Sequence, residues 1–347
     1  MSISRESSRL SRRKFTKVLT AAAASSSLVE PMALPQKSCR AATTYAGLNT
    51  GRYLGKAKTE TKVKDTVVFT EGPAIDSEGM VYFTNVPARK ILKWDPAARE
   101  LGVFRFPSHE ANGLLFDPQG NLLACEGSAG RVTRTNQGTG EIEVLADEFG
   151  GFPFAPPNDL CMDQQGRIYF TSRPGAENSR QGNVNSVYRI DQDGFVDQIL
   201  RWPEVHMPNG IVISPDNQTL YLIEAHPDAD HHRDIRAYDL AVDGTVSNGR
   251  VHIDFYPGRS GDGMCIDEAG NLYVAAGLHE LRGTSETLDT RPGIHVISPQ
   301  GKLVGYQETP EDTITNCAFG GEDLRTLYVT CGSLLISMRT DIPGKLN

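Results

Sequence analysis

Residues 209–224, NGIVISPDNQTLYLIE, hold the pattern that decides the fold. A polar residue, Asn209, leads into a short apolar run, Ser214 to Gln218 supply a turn, and a β-prone run closes the stretch. That is an inner strand, a tight turn and a second strand. Five other stretches repeat the pattern: EGPAIDSEGMVYFTN from Glu71, NGLLFDPQGNLLACEG from Asn112, NDLCMDQQGRIYFTS from Asn158, DGMCIDEAGNLYVAAG from Asp262 and NCAFGGEDLRTLYVTCG from Asn316. The leading residues stand 41, 46, 51, 53 and 54 positions apart, which leaves room for two more strands per unit. Runs such as GRVTRTNQGTGEIEVLA, NSVYRIDQDGFVDQIL, IRAYDLAVDGTVSNGRVHI and GIHVISPQGKLVGYQ supply them. Four strands repeated six times, without long helical periodicity, predict an all-β protein: a six-bladed β-propeller with four-stranded blades, one domain over residues 50–347. A β-solenoid is the competing arrangement. Six units with unequal insertions favour the closed ring, which also leaves no long sheet edge exposed. The first blade is one strand short at one end, so KDTVVFT at 64–70 is expected to complete the last blade. Insertions at 173–185 and 278–292 read as rim loops that shape a pocket.

The residue entering the innermost strand of a propeller blade faces the central channel. The six leading residues, Glu71, Asn112, Asn158, Asn209, Asp262 and Asn316, are all carboxylates or amides. Asn-Gly and Asp-Gly pairs ordinarily only turn the chain. A turn-only account does not explain oxygen-bearing side chains at all six positions, nor Glu71 ahead of Gly-Pro. Converging carboxylates repel one another unless a cation lies between them. An oxygen-only set without His or Cys matches a hard cation, and Ca²⁺ tolerates mixed carboxylate and amide ligands better than Mg²⁺.

The first forty residues differ from the rest. Ser11-Arg12-Arg13-Lys14-Phe15-Thr16-Lys17, followed by an Ala-rich apolar stretch, resembles a twin-arginine (Tat) export signal, so residues 1–40 are expected to be a leader and the mature protein periplasmic. A disordered basic tail is the alternative. Beyond residue 40 stand 27 basic and 41 acidic residues, which makes nucleic acid and anionic membranes poor partners. No apolar run is long enough for stable membrane insertion. None of the six cysteines forms a C-x-x-C pair. Cys161 and Cys265 occupy matching places in apolar strands and read as core, whereas Cys317 and Cys331 fall on neighbouring strands, where a disulfide is open to them.

Glu71-Gly-Pro73, Pro157-Asn158-Asp159, Pro208-Asn209-Gly210 and Gly261-Asp262-Gly263-Met264-Cys265-Ile266-Asp267, with ANGLLFDPQGNLLACEG and NCAFGGEDLRTLYVT, resemble the gluconolactonase, or SMP-30/regucalcin, family of six-bladed propeller lactonases. The resemblance runs from about residue 66 to 338. It implies a divalent cation, usually Ca²⁺, with Zn²⁺, Mn²⁺ or Mg²⁺ as alternatives, held by Glu71, Asn209 and Asp262, with Asn158 on metal or substrate. It also implies hydrolysis of a small-molecule substrate, a sugar lactone. One departure is YFTSRPG, where Ser172 and Arg173 replace the family's Asp; the other is the long 278–292 insertion. Both bear on the substrate more than on the reaction.

In this reading a cation polarises the lactone carbonyl and Asp262 either takes the proton of the attacking water or positions that water. Asn112, Asn158, Arg173, His206 and Arg259 are the candidate substrate contacts, with His109 beside them. His231-His232, in DADHHRD, read as a solvated loop. Two other functions fit the same residues: an organophosphate hydrolase of the diisopropyl-fluorophosphatase kind, and a non-catalytic propeller stabilised by calcium.

Overall fold

The computed structural model describes residues 45–174 and 184–345. Residues 1–40, where a twin-arginine leader is expected, and most of the 173–185 insertion lie outside the described residues. Six four-stranded antiparallel sheets form the blades of one β-propeller. Their innermost strands are Thr70–Ile75, Ala111–Phe116, Pro157–Met162, Pro208–Ile213, Gly261–Ile266 and Ile314–Gly320, for blades 1 to 6 in turn. Each inner strand packs beside the next, and blade 6 returns to blade 1, so the ring is closed.

The turn after four of the six inner strands has one chemical cause. Asp76, Asp117, Asp163 and Asp267 each accept two backbone N–H groups, from residues two and four further on, at 2.8–3.0 Å. A Gly three residues after the Asp takes the positive φ that the turn needs, from 75° at Gly166 to 82° at Gly79. Burial falls outward through each blade. Pro157–Met162 is buried throughout, whereas the outer strand Ile142–Ala146 is mostly exposed. Apolar side chains from facing blades fill the wedges between them, as Tyr273, Ile294, Cys317 and Val329 do between blades 5 and 6.

Ring closure differs from the sequence expectation. Lys58–Lys62 is the outer strand of blade 6, paired antiparallel with Leu334–Arg339, and joins the two ends of the propeller in one sheet. Residues 64–70 instead cross from that outer edge to the inner strand of blade 1. They are held on the way by Asp65, which accepts hydrogen bonds from Lys90 at 2.5 Å and Asn85 at 2.8 Å. KDTVVFT has strand-like composition, but only its last residue, Thr70, enters a sheet.

The disulfide that the sequence left open between Cys317 and Cys331 is not formed. Cys331 pairs with Ile314 and Cys317 with Val329, so the two thiols do not face each other. Cys331 donates to the Glu311 carbonyl, and Cys317 lies 3.5 Å from the Cys265 sulfur; all are free thiols. Cys161 is core, as expected. Among the described residues no helix is long and apolar enough to cross a membrane.

Candidate functional site

Every inner strand carries a one-residue β-bulge near its entry. A bulge bends the strand and re-aims a side chain. In blades 2 to 5 the bulge spans the predicted leading residues Asn112, Asn158, Asn209 and Asp262; in blade 1 Glu71, at the equivalent place, still pairs with Thr84 and the bulge follows it at Gly72-Pro73. Blade 6 is offset by one: Cys317 opposite Val329 corresponds to Met264 opposite Val274, so Thr315 takes the leading place and Asn316 the next.

That second place forms its own ring: Gly72, Gly113, Asp159, Gly210, Gly263 and Asn316. Four are glycines because the strands converge. A Cβ on Gly72 would sit 2.1 Å from the Asn112 carbonyl oxygen, and one on Gly263 would sit 2.0 Å from Asn316 Cγ. The two exceptions come from blades 3 and 6, opposite each other in the ring. Asn316 Nδ2 donates to Asp159 Oδ2 at 3.3 Å and bridges the axis. Asp159 was missed in the sequence because Asn-Asp reads as a turn pair; the glycine at that place in four repeats was the available signal.

Above this bridge the charged groups gather. Asp262 is 5% exposed, accepts from Asn209 Nδ2 at 2.5 Å and pairs with Arg259 at 2.5 Å. Arg173 lies 3.8 Å from the same carboxylate. Glu71 is 3% exposed, with one oxygen accepting from the Gly72 N–H at 3.2 Å. Burial, then the negative charges of Asp262 and Asp159, push the Glu71 carboxyl well above the usual range. Burial likewise raises Asp159 to about 7. Asn158 is buried at the matching bulge of blade 3, and Asn112 is half-buried at that of blade 2.

This donor set fits a hard divalent cation. Glu71 and Asp262 are buried carboxylates that disfavour each other's charge, and the amides of Asn209 and Asn158 occupy equivalent places beside them. Among the described residues no three acidic, His or Cys side chains converge as a ligand group, so amides must complete any shell.

His206 makes its contacts elsewhere. It stacks on His232 with ring centroids 3.7 Å apart and lies 4.8 Å from Trp202. His226 and His231 stack in the same way at 3.7 Å. Burial, then the charges of His231, Arg236 and His226, lower His206 to about 4. His231 and His232 are therefore half-buried in a histidine stack on the blade 4 rim, rather than solvated. Beside it Arg233, fully buried, donates to the carbonyls of His226 at 2.8 Å, Pro227 at 2.6 Å, Pro257 at 3.0 Å and Ser285 at 3.3 Å. One guanidinium thus ties the 278–292 insertion to the rim. The insertion brings in Arg282, whose pKa is lowered by burial and by Arg259.

A six-bladed propeller with carboxylates and amides aimed at its axis from bulged inner strands defines a class of axial-site proteins. Residues 69–333 match the family model described as SMP-30/Gluconolactonase/LRE-like region, and the chain belongs to that family. It is similar to the gluconolactonase of Zymomonas mobilis, 26% identical over 310 residues covering 81% of each chain. A pentonolactonase of Haloferax volcanii is 28% identical over 278 residues, covering 78% of this chain and 84% of the relative. The solved structure of a gluconolactonase from Xanthomonas campestris superposes with a TM-score of 0.69 at 26% identity, covering 86% of this chain and 94% of that one.

Proposed function

We propose that this protein is a hydrolase that opens the ring of a sugar lactone, with a divalent cation, most simply Ca²⁺, held by Glu71, Asn209 and Asp262 and bordered by Asn158. The observation that carries the reading is the convergence of buried Glu71 and Asp262, with their amide neighbours, at the entries of the inner strands. Family membership and the lactonases among the relatives supply the reaction class. When bound, the cation would polarise the lactone carbonyl and stabilise the oxyanion that forms there.

The chain's own residues do the rest. Asp262 takes the proton from the attacking water and returns it to the leaving alkoxide. Arg259, on one of its oxygens, fixes the plane of the carboxylate. Asn209, on the other, fixes its rotation. Asn112 and Asn158 offer amide groups to the ring hydroxyls from the adjoining blades. The Asp159–Asn316 bridge forms the floor of the site.

The test is a panel of sugar lactones followed by proton release in weak buffer. Proton release is expected with Ca²⁺, should stop with EDTA, and should fall by roughly 10²–10⁴ in Asp262→Asn. Full activity in Asp262→Asn would remove that residue from the mechanism.

A further inference from the structure

We infer that the substrate of this site is an anionic lactone, one that carries a carboxylate on the carbon chain outside the ring, and that Arg173 recognises that carboxylate. The inference rests on the lactonase reading for the reaction, but its evidence is separate. Arg173 directly follows Ile168–Ser172, the second strand of blade 3, and reaches toward the axis, where its only ion pair among the described residues is the 3.8 Å approach to Asp262. Its side chain is 21% exposed, and its Nε is buried without a hydrogen-bond partner. A guanidinium has five N–H donors in a rigid fork. Here those donors are unspent.

The charge balance points the same way. Glu71, Asp159 and Asp262 are the axial carboxylates, and Arg173 and Arg259 stand among them. Adding a divalent cation tips the balance positive, whereas Arg282 on the blade 5 insertion is already paired with Asp312 at 3.6 Å. A buried site with excess positive charge binds a neutral polyol lactone poorly relative to one that brings an anion. Arg259 is already paired with Asp262 at 2.5 Å, which leaves one guanidinium with free donors. One fork matches one carboxylate in two-point geometry; a phosphate dianion would need more.

The experiment compares an aldonolactone with the same lactone oxidised to a carboxylate at its terminal carbon, in wild type and in Arg173→Gln. Wild type is expected to favour the carboxylate form by about tenfold or more in kcat/KM, and the variant to lose that ratio whatever happens to its absolute rate. A second readout needs no turnover: in saturating Ca²⁺, the ring-opened dicarboxylate should raise the melting temperature of wild type more than the monocarboxylate does, and Arg173→Gln should erase the difference. Equal or better turnover of the neutral lactone by wild type overturns the inference. So does a ratio unchanged in Arg173→Gln, or preference for a phosphorylated lactone over the carboxylate form. If neither lactone is opened but the dicarboxylate still stabilises wild type selectively, the lactonase reading fails while the anion site stands.

Discussion

The two ends of the axial channel are made by the same six inner strands. At the upper end the strand entries present Glu71, Asn209 and Asp262, and the charges crowd until two carboxyl pKa values rise. Below the Asp159–Asn316 bridge the following residues of those strands line a cavity of about 630 Å³ with Leu114, Leu160, Ile211, Met264 and Phe319. Lys345 lies at its mouth, donating to the Ile213 carbonyl at 3.1 Å. The strands differ from top to bottom only in which residue follows the bulge. Two positions of irregular backbone carry the chemistry, and the regular remainder carries the packing.

The largest expected effects break this comparison directly. In Glu71→Gln, the rise in melting temperature caused by Ca²⁺ should disappear, while the cation-free protein is as stable as wild type or more so, because a repelled buried charge has gone. Leu115→Ala, on the same inner strand as Asn112 but in the wedge between blades 2 and 3, should do the opposite. It should cost about 2–4 kcal/mol of stability in denaturant unfolding and leave lactone turnover within about threefold. If Leu115→Ala abolished turnover without lowering stability, the division between the two ends would be wrong.

The second prediction sharpens the ring at the bridge. Gly263→Ala places a methyl group against Asn316 and should cost about 1–3 kcal/mol. Adding Asn316→Gly should recover part of that loss, because the clashing atoms belong to a side chain. Equal stability of the single and double variants, measured by urea unfolding, would locate the crowding in the backbone instead.

Much of this was legible from sequence. Polar residue, apolar run, Asp-x-x-Gly turn and β-prone run repeat closely enough to give six blades, and five of the six leading residues are where the repeat put them. Blade 6 escaped because Thr-Asn reads as either phase of the repeat; only the cross-strand register distinguishes Thr315 from Asn316. The closing strand escaped because Lys58–Lys62 is short, exposed and charged, while the traverse at 64–70 has the β-branched residues. The histidine stack and the Arg233 pillar are tertiary: rim loops of blades 4 and 5 meet there, and no local pattern marks the meeting.

The smallest effect concerns Glu224, on the second strand of blade 4, and asks whether titrating strain is confined to the axial acids Glu71 and Asp159. Glu224 is fully buried, with its carboxylate accepting from the backbone N–H groups of His206 at 3.0 Å and Met207 at 2.7 Å. Burial, opposed by the Met207 N–H and reinforced by the charge of Asp234, raises its pKa to about 8 from an ordinary 4.5. The folded state therefore keeps a proton that the unfolded chain has released, so stability falls as pH rises from about 4.5 to about 8 and is flat for this group outside that window. Glu224→Gln keeps an oxygen acceptor but cannot ionise. It should remove that part of the slope, amounting to a few kcal/mol at most, in unfolding measured with EDTA at pH 5 and pH 8.5. Parallel slopes in wild type and variant would assign the pH dependence to Glu71 and Asp159 alone. A flatter slope in the variant would extend the charged upper end outward, from the axis to the rim that holds His206.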